Sequence, residues 1–397
     1  MIFTMKKTLF HSLTFPPDTI STGMIVSEIA DGINSKLNNV EVLASSPQYN
    51  SKSIESFEHD NQNPYNGSFK NIKVHYIRSK PRKFSNSSRF FQWIEFNFKS
   101  ILFIYKNRHD YDNIFIFSYP PTMNLVCIFT SRILKINTVY SLWEIYPEIA
   151  EKLNEEPNKI LKLFFKYIDN YALKSVDEVV VNSDDLKNYL INMRNITPNK
   201  INVINHFSPF MKSDYEPNFD LNYIFYAGNT GRPQNLSTFL NYFEKYFPSD
   251  WKLDIFGAGQ EFKSLFEFSS NNIQINSYLE RKELENVTRD IPFALISLDY
   301  EVTFEGFPGK TFDYLNMNKI LINFSNPNSA VSKLIEKYGL GFNIDLKNPE
   351  SLKGKLVDMK SSNEISKIVE NIKYFQQNVS NKEIAFKSYL ELISPSS

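Results

Sequence analysis

The sequence predicts an α/β protein made of two doubly wound domains. Short apolar runs alternate with longer helix-like stretches along the whole chain, which is the pattern of parallel sheets covered by helices. The chain has 397 residues, which exceeds what one hydrophobic core usually holds, so two domains are expected. Residues 207–221 contain prolines and acidic residues without sustained periodicity, and this predicts a linker between the two domains.

The first predicted domain is residues 1–206, and each of its strands is a short apolar run bounded by turn residues. The predicted strands are Thr8–Thr14, Val40–Ala44, Val74–Ile77, Ile114–Phe117, Thr138–Leu142, Glu178–Val181 and Ile201–Ile204. The helices predicted between them include Met24–Leu37, Lys159–Leu173 and Asp184–Met193.

The second predicted domain is residues 222–379, and it repeats the same alternation. Its predicted strands are Tyr223–Ala227, Lys252–Phe256, Ile273–Ile275, Phe293–Ser297, Lys319–Asn323 and Gly341–Ile344. The helices predicted there include Leu236–Tyr246 and Ser329–Lys337, and a last helix is predicted over Ser380–Ile393 within a terminal segment 380–397.

Composition narrows the class of protein. Lys+Arg 44 and Asp+Glu 44 leave no net charge, so no nucleic-acid partner is expected. The single cysteine, Cys127, is consistent with a reducing cytoplasm, and none of the five histidines stands at metal-ligand spacing. We expect no signal peptide, no bound metal and no apolar run long enough to span a membrane.

The most informative stretch is Glu305 to Asp313, where two carboxylates stand eight residues apart around glycines, Pro308 and Lys310. A flexible loop that opens into a helix points backbone N–H groups at an anion, and Lys310 adds a full positive charge. Pro308 suits a first helical turn. The carboxylates on either side can accept hydrogen bonds from hydroxyls. Such a loop is suited to a sugar nucleotide, although a solvated acidic loop is the simpler alternative.

This spacing, followed by a helix and a strand, resembles the signature of retaining GT-B glycosyltransferases, especially family 4, with Asp313 in place of the second glutamate. The resemblance implies the GT-B fold: two Rossmann-like doubly wound domains facing across a cleft. Residues 1–206 would bind the acceptor, 207–221 would be the hinge, 222–379 would bind the nucleotide sugar, and the helix in 380–397 would cross back to the first domain.

The resemblance also implies roles for residues of this loop. Glu305 would contact the donor sugar, Asp313 the ribose, and Lys310 together with the helix start at Gly309 the diphosphate.

A second loop, after the strand Tyr223–Ala227, departs from the family. Asn229 and Gln234 stand where the family usually has a phosphate-binding arginine and lysine, while Gly228 is kept. Arg232 lies between them and would supply the charge from a shifted position, unless it is an ordinary turn arginine. This loop resembles that of a subgroup of bacterial polysaccharide glycosyltransferases.

Three further glycines are expected near the donor. Gly257 and Gly259 form a Gly-x-Gly turn that permits close approach of the backbone to a nucleotide, although a plain tight turn has the same pattern. Gly23 matches one glycine of the family's loop after the first strand. Asp18 in the same loop is a candidate for acceptor contact, and a plain strand–helix connection is the alternative.

Acidic candidates for the cleft come from the loop after Thr138–Leu142. Many family members carry His-Asp at the position where Glu144 stands here, and Glu148 follows in the same loop. His206, near the hinge, is predicted to be structural.

The segment Arg82–Arg108 interleaves basic and aromatic residues. This pattern is typical of a helix packed on the sheet and also of a surface that contacts the anionic inner leaflet of the plasma membrane. Both interpretations are correct if one face of the helix packs and the other contacts lipid.

The resemblance implies a metal-independent, cofactor-free enzyme that moves a hexosyl group from a nucleotide diphosphate sugar to a hydroxyl of a glycan. The acceptor is expected to be a lipid-linked oligosaccharide for surface polysaccharide, such as capsule or O-antigen, and the protein to be cytoplasmic or peripheral at the membrane. The alternatives are a sugar-nucleotide epimerase or phosphorylase of the same fold, or a non-catalytic subunit that binds nucleotide sugar.

Overall fold

The structure is a computed structural model that describes residues 7–18, 20–48, 65–79, 86–152, 159–305 and 307–393, without the side chains of 86–89 and 161. The chain divides into two compact units. One comprises Met1–Pro147, Pro157–Pro209 and Lys382–Ser397, and the other comprises Glu148–Glu156 and Phe210–Asn381.

The first unit is built on a sheet with the order β3-β4-β2-β1-β5-β6-β7-β8. All neighbouring strands are parallel except β3, which runs antiparallel to β4 at the edge. The strands are β1 Lys7–Ser12, β2 Val40–Ser45, β3 Tyr65–Phe69, β4 Ile72–Ile77, β5 Tyr111–Phe117, β6 Asn137–Leu142, β7 Glu178–Val181 and β8 Ile201–Val203.

Helices connect these strands, as parallel pairing requires. The helices are Ser21–Leu37, Asn86–Lys106, Met123–Ile128 with a π-helical extension over Phe129–Leu134, Lys159–Ser175, Asp184–Arg194 and, at the end of the chain, Lys382–Leu390. The last helix packs in this unit: the ring centroid of Phe386 lies 5.6 Å from that of Phe207, and the Tyr389 hydroxyl lies 3.2 Å from Ser141 Oγ.

The second unit contains a fully parallel sheet with the order β11-β10-β9-β12-β13-β14. Its strands are β9 Tyr223–Asn229, β10 Lys252–Ala258, β11 Ile273–Ser277, β12 Phe293–Ser297, β13 Ile320–Phe324 and β14 Gly341–Ile344. Its α-helices are Leu236–Tyr246, Arg281–Val287, Lys310–Asn316, Ala330–Tyr338, Ser351–Asp358 and Ser362–Asn378, and the short helix Glu148–Lys152 groups with this unit.

A buried polar network lies at the amino ends of the central strands of the first sheet. Glu41 accepts hydrogen bonds from the Lys7 ammonium and the Tyr111 hydroxyl, each at 2.7 Å, and its other contact is His75 Nε2 at 3.0 Å. Burial acts to raise the pKa of Glu41, but hydrogen bonds from His75, Lys7 and Tyr111 outweigh it and lower that pKa to about 2. The carboxylate is therefore stable inside the fold only because several donors face it.

The structure confirms the predicted α/β class and all thirteen predicted strands, with ends shifted by at most three residues. The edge strand Tyr65–Phe69 was not predicted. Its five residues include Asn, Gly and Ser, and none has a β-branched side chain, so they lack the apolar run that marks a buried strand. The strand predicted from Lys319 begins one residue later, at Ile320, and the Lys319 side chain donates a hydrogen bond to the Thr288 carbonyl.

Candidate functional site

The candidate site lies where the strand order of the second sheet reverses. β9 is the first strand of this unit and has β10 on one side and β12 on the other. β9 and β12 pair only at Ile224 and Phe225, so the two strands separate toward their carboxyl ends. In open parallel sheets, ligands bind at such a switch point, beyond the carboxyl ends of the strands.

Tyr314 closes the gap between these two strands. Its hydroxyl accepts a hydrogen bond from the Ala227 N–H at 2.8 Å and donates one to the Ala227 carbonyl at 3.0 Å. The ring packs edge-on against Phe225, with centroids 5.1 Å apart. Since Ala227 has no ladder partner on the β12 side, Tyr314 satisfies both of its backbone polar groups. This ties the helix Lys310–Asn316 to the end of β9.

Lys310, the first residue of that helix, reaches over the end of β9. Its Nζ lies 3.8 Å from the centre of the Tyr226 ring and donates a hydrogen bond to the Tyr226 hydroxyl, which in turn donates to the Asn229 carbonyl. Burial lowers the pKa of Lys310 to about 7, and the nearby charge of Asp313 acts in the opposite direction. A half-buried ammonium without a full counter-charge is favourable for binding an anion.

Glycines let the ends of β9 and β10 approach each other beside Lys310. Gly228 has a φ of +129°, and a Cβ there would lie 3.0 Å from Lys310 Nζ. Gly257 pairs with Gly228 across the two strands, and a Cβ on Gly257 would lie 2.8 Å from the Gly228 carbonyl oxygen and 2.6 Å from Thr230 Cγ2. Close packing between the loops that follow β9 and β10 therefore requires glycine in the Gly-x-Gly turn.

The loop after β9 is held by Gln234. Its side-chain oxygen accepts hydrogen bonds from the Gly231 N–H at 3.1 Å and from Asn229 Nδ2 at 3.4 Å. Ser297, at the end of β12, donates a 2.6 Å hydrogen bond to the Gln234 carbonyl. Arg232 points outward and is exposed. Gln234 thus shapes the turn, and the side chains of Arg232 and Asn229 are exposed.

Glu305 is buried, with 1% of its surface exposed. Its Oε2 accepts hydrogen bonds from the Thr303 N–H at 2.7 Å and from Thr303 Oγ1 at 3.1 Å, while Oε1 accepts none from the described residues. One carboxylate oxygen therefore holds the loop and the other is available. Asp313 is half-buried in the first turn of the helix Lys310–Asn316, and Gly309 precedes that turn.

The structure brings together most of the predicted donor residues of the second unit. Gly228, Gly257 and Lys310 are direct neighbours. Gly259 also belongs to this group, because a Cβ on it would lie 2.7 Å from Asn229 Oδ1.

Asp18 and Gly23 follow β1, which stands at the switch point of the first sheet with β2 on one side and β5 on the other. Asp18 is buried, and its Oδ2 accepts a 2.8 Å hydrogen bond from the Gln48 N–H, so it joins the loops after β1 and β2. A Cβ on Gly23 would lie 3.2 Å from the Phe15 nitrogen, which places the helix Ser21–Leu37 tightly against the loop after β1. Glu144 is exposed in the loop after β6, whereas Glu148 is buried at the start of the helix Glu148–Lys152, which groups with the second unit.

His206 has the structural surroundings predicted for it. It is buried, and its ring stacks edge-on against Trp143 with centroids 4.6 Å apart. Burial lowers the pKa of His206 to about 4, so the ring is neutral at pH 7. In the described part of the chain, no three His, Cys, Asp or Glu side chains are placed to hold a metal ion.

Sequence reasoning missed the tyrosines that organise this site. Tyr226 was included only as a residue of a predicted strand and Tyr314 was not singled out, although both fix the position of the loop ends. Tyr278 follows β11 directly and is 52% exposed, and its neighbour Ser277 pairs with Gly257. Tyr278 was not singled out from the sequence, since its exposure at the carboxyl edge of the sheet is seen only in the structure.

Comparisons with known proteins agree with this architecture. Residues 25–207 match the family described as Glycosyltransferase Family 4. The structure resembles WaaG, a glycosyltransferase involved in lipopolysaccharide biosynthesis, with a TM-score of 0.68 and 12% identity, over 98% of this chain and 100% of that chain. It also resembles a sucrose-phosphate synthase from Thermosynechococcus elongatus, with a TM-score of 0.73 and 10% identity, over 98% of both chains.

A third solved structure carries a ligand. Anabaena Alr3699/HepE in complex with UDP-glucose matches with a TM-score of 0.68 and 12% identity, over 97% of this chain and 98% of that chain. Among curated proteins, none matches this sequence. The fold is that of the GT-B glycosyltransferases, and the family match together with the fold supports a GT-B glycosyltransferase. No helix in the described ranges is long and apolar enough to cross a membrane.

Proposed function

We propose that this protein is a retaining glycosyltransferase that transfers a hexosyl group from a nucleotide diphosphate sugar to a hydroxyl of a glycan. The observation that carries the proposal is the position of the Lys310 ammonium, over the end of β9 and beside Gly228. A diphosphate bound there would offset the desolvation that lowers the lysine pKa, and Gly228 leaves room for its oxygens.

In this proposal, Lys310 and Arg232 stabilise the charge on the leaving diphosphate, with the Gly309 N–H nearby. Asn229 and Gln234 shape the loop around it, and Gly257 and Gly259 allow the nucleotide to approach the backbone. Glu305 orients the sugar with its available oxygen, and Asp313 contacts the ribose. Tyr278 supplies a face for the base. Asp18, Glu144 and Glu148 are proposed to position the acceptor, and Gly23 is proposed to bind the donor together with the other glycines.

The proposed reaction is a front-face substitution. The bond between the anomeric carbon and the phosphate oxygen breaks while the acceptor oxygen bonds to the same face of that carbon. The acceptor proton passes to the departing phosphate, and the nucleoside diphosphate leaves with it. Neither a metal ion nor a cofactor takes part in this scheme. Electrostatic stabilisation of the leaving group supplies the main rate enhancement.

The acceptor is proposed to be a lipid-linked oligosaccharide of surface polysaccharide synthesis, such as capsule or O-antigen, with the protein acting at the inner face of the plasma membrane. The basic and aromatic segment Arg82–Arg108 supports this, although residues 82–85 lie outside the described residues. Within the described part, the helix Asn86–Lys106 exposes Phe91, Phe98 and Tyr105 while it buries Phe96 and Ile104. Both interpretations of this segment are therefore compatible with its packing.

The test is a thermal-shift screen of the purified protein against UDP, GDP, CDP, ADP and their common sugars, starting with UDP-glucose. A ligand at about one hundred times its Kd should stabilise the protein by about 2.7 kcal/mol. We expect one nucleotide to shift the melting temperature selectively, with the shift lost in Lys310→Ala and, for the sugar nucleotide, reduced in Glu305→Ala. Lys263→Ala and Glu301→Ala, which remove exposed side chains of the same unit, are the matched controls.

Transfer of radiolabelled sugar to a membrane extract then separates the alternatives. Donor binding without transfer would favour a non-catalytic subunit, and a changed sugar nucleotide without acceptor would favour an epimerase. The absence of a shift with every nucleotide would contradict the proposed site.

A further inference from the structure

The helix Lys159–Ser175 of the first unit presents an apolar surface to solvent. Ile160 is 81% exposed, Tyr167 71% and Leu163 67%. These positions recur at intervals of three and four, so they lie along one helical face. The complete set of exposed side chains on this helix, among those described, is Lys159, Ile160, Leu163, Phe164, Tyr167, Tyr171 and Lys174. Each of the seven is apolar, aromatic or a lysine.

The opposite face of the same helix is packed in the ordinary way. Ala172 and Leu173 are completely buried. The only carboxylate of the helix, Asp169, is also buried, and its Oδ2 lies 3.5 Å from Nη2 of the buried Arg194. The exposed face therefore carries positive charge without a carboxylate of its own, although Glu155 and Glu156 precede the helix in the sequence, outside the described residues.

The neighbouring helix Asn86–Lys106 contacts this helix and also exposes apolar side chains. The ring centroids of Phe90 and Phe165 lie 6.0 Å apart, edge to face. Phe91 is 71% exposed and Phe98 61%. The exposed carboxylate of that helix, Glu95, is neutralised by Lys99 at 2.6 Å. Two adjacent helices thus leave apolar surface uncovered, which is uncommon on a soluble monomer without a binding role.

We propose that the helix Lys159–Ser175 lies in the interface of an anionic bilayer. Leu163, Phe164 and Tyr167 would enter the boundary between headgroups and acyl chains, while Lys159 and Lys174 would contact the anionic headgroups. A helix with an aromatic and apolar face flanked by lysines is suited to this position. Lysine is depleted from the cores of protein–protein interfaces, so a second copy of the chain is a poorer match for the same face.

The inference extends the proposed function, because it says how the chain reaches a lipid-linked acceptor, and it names an element other than Arg82–Arg108. It does not depend on the donor site. The chain has no net charge, so attraction to anionic lipid must come from such a local arrangement and not from the protein as a whole.

The experiment is flotation of the full chain with vesicles of phosphatidylcholine alone and of phosphatidylcholine mixed with phosphatidylglycerol. The test variant is Phe164→Ser/Tyr167→Ser, and a second variant is Lys159→Gln/Lys174→Gln. The matched control is Phe266→Ser/Tyr374→Ser, which also removes two exposed aromatic side chains but from the second unit. Size-exclusion chromatography of each protein reports its oligomeric state, and its melting temperature reports folding.

We expect the wild-type chain and the control to float with the anionic vesicles. The aromatic variant should bind at least about tenfold more weakly, and the lysine variant should lose its preference for anionic lipid. UDP-induced thermal shifts should be unchanged in both variants, which separates this result from failure of the donor site. Absence of vesicle binding by the wild type, or equal binding by the aromatic variant, would overturn the proposal. So would a wild-type dimer that the aromatic substitutions convert to a monomer.

Discussion

The ammonium of Lys310 is held directly over the ring of Tyr226, 3.8 Å from its centre, and hydrogen-bonds to the hydroxyl of the same residue. This pairing places a positive charge at the carboxyl end of β9, and no carboxylate of the described residues forms an ion pair with it. A neutral aromatic partner favours the ammonium but offsets burial only in part, and the pKa of Lys310 is about 7. The charge is therefore ready for an anion.

The affinity for UDP is expected to depend on pH through Lys310. Diphosphate binds the ammonium form, so affinity from this group is highest below its pKa of about 7 and falls as pH rises above it. The loss should approach about tenfold per pH unit until the pKa of the bound lysine is reached. Isothermal titration calorimetry between about pH 7.5 and 9.5 avoids the titration of the phosphate itself, whose pKa is about 6.

Lys310→Met should bind UDP weakly and with a flat pH profile over this range, whereas Lys263→Met should behave like the wild type. An equally steep profile in Lys310→Met would show that another group titrates.

Tyr314→Phe is expected to destabilise the second unit by about 2 kcal/mol, because two buried backbone groups of Ala227 lose their partner. Urea denaturation measures the free energy of unfolding. Tyr246→Phe, at a partly exposed position, should change that free energy by less than about 0.5 kcal/mol. Equal values for the two variants would mean that water replaces the Tyr314 hydroxyl without cost.

Lys319→Met is expected to lower the free energy of unfolding by about 3 kcal/mol, which is more than the loss expected for Tyr314→Phe. The buried Lys319 ammonium donates hydrogen bonds to the carbonyls of Thr288, Arg289 and Ile291 at 2.7, 2.8 and 2.9 Å. These carbonyls lie just beyond the helix Arg281–Val287, and methionine leaves all three without this donor. Denaturation of Lys252→Met, which removes an exposed lysine, gives the reference value and should lie close to the wild type.

Glu41→Gln is expected to make the free energy of unfolding less dependent on pH below pH 4.5. The pKa of Glu41 is lowered from 4.5 to about 2, so its contribution is complete above pH 4.5 and is lost as pH falls toward 2. This lowering of the pKa corresponds to a contribution of about 3 kcal/mol to the free energy of unfolding at neutral pH. Denaturation at a series of pH values should show a smaller loss below pH 4.5 in the variant than in Glu370→Gln, an exposed control. Identical acid slopes would contradict the proposed role of the network.

Much of the fold could be predicted because its strands are locally marked. Runs such as Glu178–Val181 and Phe293–Ser297 are apolar on both faces and are bounded by polar turns, and both appear with the predicted ends. Tyr65–Phe69 could not be recognised in the same way, since it is a strand only through its antiparallel pairing with Ile72–Ile77. Pairing at an edge depends on a partner and not on the local sequence.

The candidate residues of the site could be selected from the sequence only in part. The spacing from Glu305 to Asp313, with Lys310 between them, and the glycines after β9 and β10 could be recognised from the sequence because each has a local pattern. The orientation of side chains could not. Gln234 turns into its own loop, Asp18 ties two loops together, and one oxygen of Glu305 is used by Thr303.

Local periodicity and turn chemistry account for the α/β class, for every strand except the edge strand Tyr65–Phe69, and for the residue types at the loop ends. The packing of these elements in three dimensions places Tyr226 beneath Lys310 and lets the Tyr314 hydroxyl hydrogen-bond to Ala227. Packing also leaves an apolar face of the helix Lys159–Ser175 exposed. A helix with apolar residues around most of its circumference can bury only one side. Contacts between residues distant in sequence depend on how elements pack, which local patterns do not encode.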